Sequence, residues 1–236
     1  MLEKIPPERI LYDDPCCVVI NKEVGEAVEG AGRGMKDLLA LLRSGGFPHA
    51  EAVQRLDVPV SGCALFAKTG GALAALNRAF SQGRAVKKYW AVLEDPSVAG
   101  GPDPAGEGEL VHWIASDAGV NKSRAFDSPG PGRKEARLRY RCLGRGIRYL
   151  FLEIELITGR HHQIRAQLAA LGLHIKGDLK YGSRRSEKGG GIRLHARSLA
   201  FPHPETGRTI SVSALPRMDP LWEALAEAAS RTEKPK

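Results

Sequence analysis

The chain is poor in the features that announce metal, disulfide or membrane chemistry. Its four cysteines, Cys16, Cys17, Cys63 and Cys142, have neither a paired metal spacing nor the density of a small disulfide scaffold, and read as reduced packing residues. Zinc held through Cys17 with His161 or His162 lacks four ligands at the usual intervals, so no metal is expected. No apolar run approaches the roughly 18 residues of a membrane span, and the opening MLEKIPPERILYDD is charged and lacks an apolar h-region. A cytoplasmic protein without membrane contact is expected. The glycines between positions 30 and 34 carry neither a Gly-Lys-Ser nor a Gly-x-Gly-x-x-Gly signature, which leaves a connector and no phosphate loop. There is no internal repeat of the solenoid kind.

What is present is length and positive charge. At 236 residues the chain can bury a real core as one generous domain or as two small lobes. Lys and Arg number 35 against 27 Asp and Glu, a surplus of +8. That surplus is the footprint expected of a protein that meets phosphates, although by itself it also fits a merely basic soluble protein.

Hydrophobic periodicity predicts a strand over 17–21, a helix over 35–43, a strand over 62–67, a helix over 70–82 and a strand over 86–93. The stretches 95–108 and 128–133 are rich in Pro and Gly and read as loops or hairpin inserts. Residues 148–157 alternate cleanly, with Leu150, Leu152, Ile154 and Leu156 on one face and Glu153 and Glu155 on the other. The next helix is expected to begin near Arg160, with Ile164, Leu168 and Leu171 as its core stripe. Strands over 194–202 and 209–212, a helix over 220–230 and a frayed tail complete the chain. Strands come in runs, without the regular strand–helix alternation of a doubly wound sheet, so the class is α+β.

Two stretches carry the chemistry: Arg55-Leu56-Asp57 running into Ser61-Gly62, and Thr158-Gly159-Arg160-His161-His162-Gln163-Ile164-Arg165. They supply one carboxylate and a guanidinium able to hold it ionised, since an Arg can grip a carboxylate through two parallel hydrogen bonds and lower its pKa by roughly 1–3 units. Such an Asp can act as nucleophile or base. Asp57 falls in the loop just ahead of the strand at 62–67, a usual place for a catalytic group. Backbone amides at the helix start, with Arg160 and Arg165, would suit a carboxylate or a phosphate. Arg184, Arg185 and Lys188 sit on a basic glycine-rich loop.

Alone, Arg-Leu-Asp is a weak signal, and the bland reading of Asp57 and Arg165 is a structural ion pair. The order of motifs is more specific. Arg55-Leu-Asp57-x-x-x-Ser61-Gly62 is followed by Ala67-Lys68, Lys87-x-Tyr89-x-Ala91, Thr158-Gly-Arg160-x-His162-Gln163-Ile164-Arg165, Gly177-Asp178-x-x-Tyr181-Gly182, Leu194-His195-Ala196 and His203-Pro204-x-Thr206-Gly207. This series resembles the RluA-type pseudouridine synthases, which isomerise uridine within RNA. The resemblance runs from about Ile10, where ILYDDPCCVVINKEVG looks like the family's opening strands, to about Ser213.

The resemblance implies a mixed, largely antiparallel sheet in two lobes around a central catalytic cleft. It also implies a single catalytic domain over 1–236, with a core of about 10–213 and a C-terminal helix and tail over 214–236. Asp57 would be the catalytic carboxylate. Tyr89 would be the ring that packs on the target base, a candidate to help remove its C5 proton, and Arg165 the partner that orients Asp57. Breaking and remaking a glycosidic bond needs neither redox chemistry nor phosphate energy, so no cofactor is expected. A stacked uridine must be extruded at a cost of a few kcal/mol. Arg55 would fill the gap or, alternatively, contact a phosphate or carboxylate. Arg160, Arg184, Arg185 and Lys188 would bind the RNA backbone. A monomer acting on ribosomal or transfer RNA is expected, with the catalytic domain itself gripping the RNA, since the motifs start too early for an N-terminal RNA-binding domain.

Three positions depart from the family pattern. Gln54 stands where His is usual, Val60 where Thr is usual and His174 where Pro is customary. Gln54 can still hydrogen-bond but cannot carry a proton, and Val60 loses a hydroxyl that could pin the Asp57 loop. These departures motivate the competing hypothesis of a non-catalytic RNA-binding or folding factor on the same scaffold. A carboxylate-dependent glycoside hydrolase is disfavoured because no second acid matches.

Overall fold

A computed structural model describes residues 5–32, 34–96, 103–104 and 106–232. It divides the chain into two compact units: residues up to Lys87 with His195–Pro216, and Lys88–Leu194 with residues from Arg217 on.

In the first unit a hairpin of β1 (Ile10–Asp13) and β2 (Cys17–Lys22) is antiparallel. β2 runs antiparallel along β4 (Ser61–Ala67) from Cys17 opposite Ala67 to Lys22 opposite Gly62. The other edge of β4 is shared: β3 (Glu51–Ala52) pairs antiparallel at Phe66 and Ala67, and β10 (Leu194–Pro202) pairs parallel at Ser61 and Gly62. β11 (Thr209–Ser213) closes a hairpin on β10. β2 and β4 are apolar almost throughout, as strands covered on both faces must be. Helix α2 (Gly70–Ser81) lays Ala72, Leu76 and Ala79 on this sheet, and its N-cap Thr69 accepts a hydrogen bond from the Ala72 amide. Cys16, Cys17 and Cys63 lie in this core as unpaired thiols, and burial pushes all three up, to about 11 for Cys16 and about 12 for the others. They are packing residues, as the sequence indicated.

Helix α1 (Leu38–Ser44) begins three residues later than its apolar period suggests. Asp37 caps it through the Ala40 amide at 3.0 Å, so Met35 and Lys36 stay outside. Gly62 has φ +111°, and a Cβ there would lie 2.3 Å from the Ala196 carbonyl oxygen; only glycine lets β10 approach β4 this closely.

The second unit is an antiparallel sheet in the order β5 (Val86–Glu94), β9 (Tyr149–Leu156), β8 (Lys134–Arg145), β6 (Glu107–Asp117), β7 (Lys122–Phe126). β9 keeps its predicted alternation, with Leu150, Leu152, Ile154 and Leu156 buried and Glu153 and Glu155 half-buried. Helix α3 (Gln163–Ala170) packs on β6 and β7 through Ala166, against Ile114, Ala136 and Tyr181. Helix α4 (Pro220–Thr232) lays Trp222, Leu225 and Ala229 on Trp90, Leu143 and Phe151. The 128–133 insert is the β7–β8 turn. Much of the 95–108 loop, and the tail beyond 232, fall outside the described residues, and the loop ends where β6 starts at Glu107. The parallel pairing of β10 with β4 among antiparallel ones, with helices set apart from strands, is the α+β class with a mixed, largely antiparallel sheet.

Candidate active site

Asp57 opens the turn between β3 and β4. Its carbonyl accepts the Val60 amide at 2.9 Å, and the flanking Leu56 and Val60 are buried while Asp57 is half-exposed. Two apolar anchors thus hold the loop that carries Asp57. The Gly25 amide donates to the Val58 carbonyl at 3.0 Å. Lys22, at the end of β2 and with no exposed surface, donates its ammonium to the carbonyls of Val60 (2.6 Å), Glu23 (3.0 Å) and Val58 (3.1 Å).

Two departures from the family pattern resolve here. Gln54 Nε2 donates to the Cys63 carbonyl at 3.0 Å, a task for any neutral donor. Val60, lacking a hydroxyl, pins the turn through its backbone, donating to Asp57 and accepting from Lys22. Beneath the turn, His195 is wholly buried; its Nε2 donates to the Ala214 carbonyl at 3.1 Å, so Nδ1 accepts from the Ser61 hydroxyl at 2.8 Å. Burial lowers its pKa to about 4, which makes it a neutral structural link. Arg55 is exposed.

In the second unit Tyr89 lies on β5 opposite Ile154 of β9, with 7% of its surface exposed. Arg165 is the third residue of α3 and is buried. Its Nε and Nη2 reach Asp178 Oδ2 and Oδ1 at 2.7 and 2.9 Å, and its guanidinium lies 4.8 Å from the centre of the Tyr181 ring. The Tyr181 hydroxyl meets His162 Nδ1 at 2.9 Å and the Ser123 amide at 2.8 Å. His174 Nδ1 donates to the Tyr181 carbonyl at 2.8 Å, and its ring fills the space that a side chain on Gly182 would need. The motif Gly177-Asp178-x-x-Tyr181-Gly182 is therefore the seat of Arg165, a role the sequence pattern did not assign to Asp178.

The helix start differs from expectation. α3 begins at Gln163, three residues after Arg160, because His162 adopts a left-handed φ of +52° and the Gln163 side chain bridges the turn. Its Oε1 accepts from the Arg160 amide at 2.9 Å and from the Thr158 hydroxyl at 2.8 Å. Arg160 is exposed and donates from Nε to the Glu135 carbonyl, whereas Arg165 is buried against Asp178, so the expected donor cluster divides. Arg184, Arg185 and Lys188 are exposed on a loop tied down by Glu94, which accepts from Ser183 and the Arg184 amide, and by Glu187, which pairs with Lys176 and Arg193.

One cluster among the described residues has ligand-type side chains, namely Asp14, Cys16 and His203. His203 Nδ1 accepts the amides of Glu205 and Thr206, so Nε2 carries the proton and donates it to Asp14 at 2.5 Å. Asp14 also accepts from the Tyr12 hydroxyl and from the Cys16 and Cys17 amides. Binding a metal there would require an imidazolate and break a filled network. The cluster is a hydrogen-bonded clasp.

The model of the RNA pseudouridylate synthase family matches residues 17–170, a span that holds Asp57, Tyr89 and Arg165. The chain belongs to the RluA-type RNA pseudouridine synthases. It is 34% identical over 253 residues to the ribosomal large subunit pseudouridine synthase D of Vibrio cholerae, covering 97% of this chain and 74% of that protein. It is 31% identical over 237 residues to the tRNA pseudouridine synthase C of Haemophilus ducreyi, covering 92% and 93% of the two chains. The solved human RNA pseudouridylate synthase domain containing 1 shares the fold, with a TM-score of 0.72 and 24% identity over 93% of this chain and 86% of that one. No described helix of this pseudouridine synthase is long and apolar enough to cross a membrane.

Proposed function

We propose that this protein isomerises specific uridines of ribosomal or transfer RNA to pseudouridine, with Asp57 as the catalytic carboxylate. The observation that carries the reading is the Asp57 turn: a half-exposed carboxylate between buried anchors, inside the span that matches the family. Asp57 would act as nucleophile or base while the uracil is detached from N1 and rejoined through C5. Tyr89 would pack against the extruded base and Arg165 would orient Asp57. Arg55 would occupy the space the base leaves, and Arg160, Arg184, Arg185 and Lys188 would track phosphates. All four basic residues of that last set are exposed, as phosphate contact requires. The relatives are named for the ribosomal large subunit and for tRNA, which favours action in the cytoplasm, and the reaction as drawn needs one copy of the chain and no cofactor.

Pseudouridine mapping in total RNA from cells with and without the protein tests this reading. Loss of one or a few pseudouridines in ribosomal or transfer RNA is expected. Unchanged maps, with RNA still bound by the protein, would favour the folding-factor alternative.

A further inference from the structure

We propose that the groove between the β8–β9 turn and helix α4 is a second contact for the substrate RNA: it takes an unpaired nucleotide, with the base against Ile147 and Tyr149 and the phosphates on Arg148 and Arg231. The inference rests on the reading of this chain as an enzyme that acts on RNA, and deepens it.

The groove lies wholly within the second unit. Gly144 lets α4 sit close to β8, since a Cβ there would come within 3.2 Å of the Ala228 side chain. Turn and helix enclose about 720 Å³, lined on its apolar side by Ile147, Tyr149, Leu221 and Ala228 and on its charged side by Arg148 and Arg231. That volume suits a ligand of nucleotide size. Ile147 is 97% exposed and Tyr149 half-buried, so an apolar ring face set against them removes surface from water. Two further charges reach the groove. Arg145 is committed to Asp95 and Asp103, and Glu227 meets Arg231 at 3.2 Å across one helical turn, an exposed pair that a phosphate displaces at little cost. Arg148 is exposed and has no ion pair among the described residues. The site thus offers apolar surface and positive charge together, and a nucleotide matches both. A second copy of the chain would set this Arg-lined groove against its own charge. An acidic peptide would answer the charge as a nucleotide does, and continuity favours RNA. Tyr149 pairs across the sheet with Glu94, whose carboxylate accepts the Arg184 amide at 3.2 Å. Lys176 lies 5.9 Å from the centre of the Tyr149 ring and pairs with Glu187 of the loop that carries Arg184 and Arg185. The loop proposed above to track phosphates therefore adjoins the groove, and one strand of RNA can follow both.

The test measures binding of three probes: an oligouridylate, with and without 4-thiouridine, a blunt RNA duplex of equal length, and poly(glutamate). Irradiation of the thiolated oligomer on the wild type should give cross-links at Ile147 or Tyr149, located by mass spectrometry. The double variant Arg148→Ala, Arg231→Ala should bind oligouridylate at least about tenfold more weakly at low salt. Its slope of log affinity against log salt should be shallower by about 1.4, since each single-strand phosphate contact contributes about 0.7. Ile147→Ser, at a side chain that supports nothing in the fold, should weaken oligouridylate at least about threefold, keep the slope, and spare the duplex, whose bases are closed to such a groove. Cross-links confined to other segments, or an unchanged slope in the double variant, overturn the proposal. So does a double variant that loses poly(glutamate) while keeping oligouridylate, the mark of an acidic-peptide site. A wild type that binds neither RNA would defeat the RNA reading itself, whereas RNA binding that the groove variants leave untouched would defeat only the groove.

Discussion

Arg165 and Asp178 form a two-point ion pair, Nε to Oδ2 at 2.7 Å and Nη2 to Oδ1 at 2.9 Å, with side chains only 5% and 2% exposed. Two hydrogen bonds fix a planar guanidinium in direction as well as place, which a single contact cannot do. Asp178 thus determines where Arg165 points.

Asp178→Asn should remove the two-point charge partner of a buried guanidinium and cost about 3–5 kcal/mol in urea unfolding. In protein that remains folded, turnover should fall at least about tenfold, as it should in Arg165→Met. Full activity in Asp178→Asn would show that Arg165 needs no such seat.

The Asp14 clasp should make stability depend on acid pH. Burial alone would raise the Asp14 carboxyl, but hydrogen bonds from Tyr12, the Cys17 amide, His203 and the Cys16 amide outweigh it and bring the group from 3.8 to about 2. A carboxyl depressed on folding contributes stability that is present above its unfolded pKa and lost as pH falls through the folded one. Asp14→Asn should therefore cost about 2 kcal/mol near pH 6 and much less near pH 2. Equal losses at both pH values would contradict the assignment.

Gly62→Ala tests the approach of β10 to β4. The added methyl meets the Ala196 backbone at 2.3–2.7 Å on a residue at φ +111°, so a loss of at least about 2 kcal/mol is expected in thermal unfolding. Turnover should fall too, because Ser61 and Gly62 begin the strand that carries the Asp57 turn.

Arg184 and Arg185 project from a loop tethered at Glu94 and Glu187. Replacing both with Ala should weaken binding of all RNAs alike and make the slope of log affinity against log salt shallower by roughly 0.7–0.9 per lost phosphate contact. An unchanged slope would turn attention to Arg160.

The elements most legible in the sequence were those with one wet face. β9 alternates because Glu153 and Glu155 stay half-exposed opposite buried leucines. β6 and β7 were not legible, since two of their inward positions are polar: His112 meets Gln167 Nε2 at 3.1 Å, and Ser123 bonds to Tyr181 and His161. The axis of α3 could be read from Ile164 and Leu168, but its start could not, because a left-handed His162 and a bridging Gln163 side chain decide it. Of the proposed site, Asp57, Tyr89 and Arg165 are legible through motif order. Lys22 and Asp178 are not legible, because the letter for a charged residue does not tell whether its charge lies in water or among buried partners.

An isomerase acting through Asp57 must free the C5 proton of its target uridine. Release of tritium from RNA labelled at uridine C5 tests it most directly, with strand integrity and free uracil followed in parallel. Wild type should release tritium without strand cleavage or free uracil, and Asp57→Asn should release none despite nearly unchanged RNA affinity. Release by Asp57→Asn at close to the wild-type rate would contradict the role of Asp57.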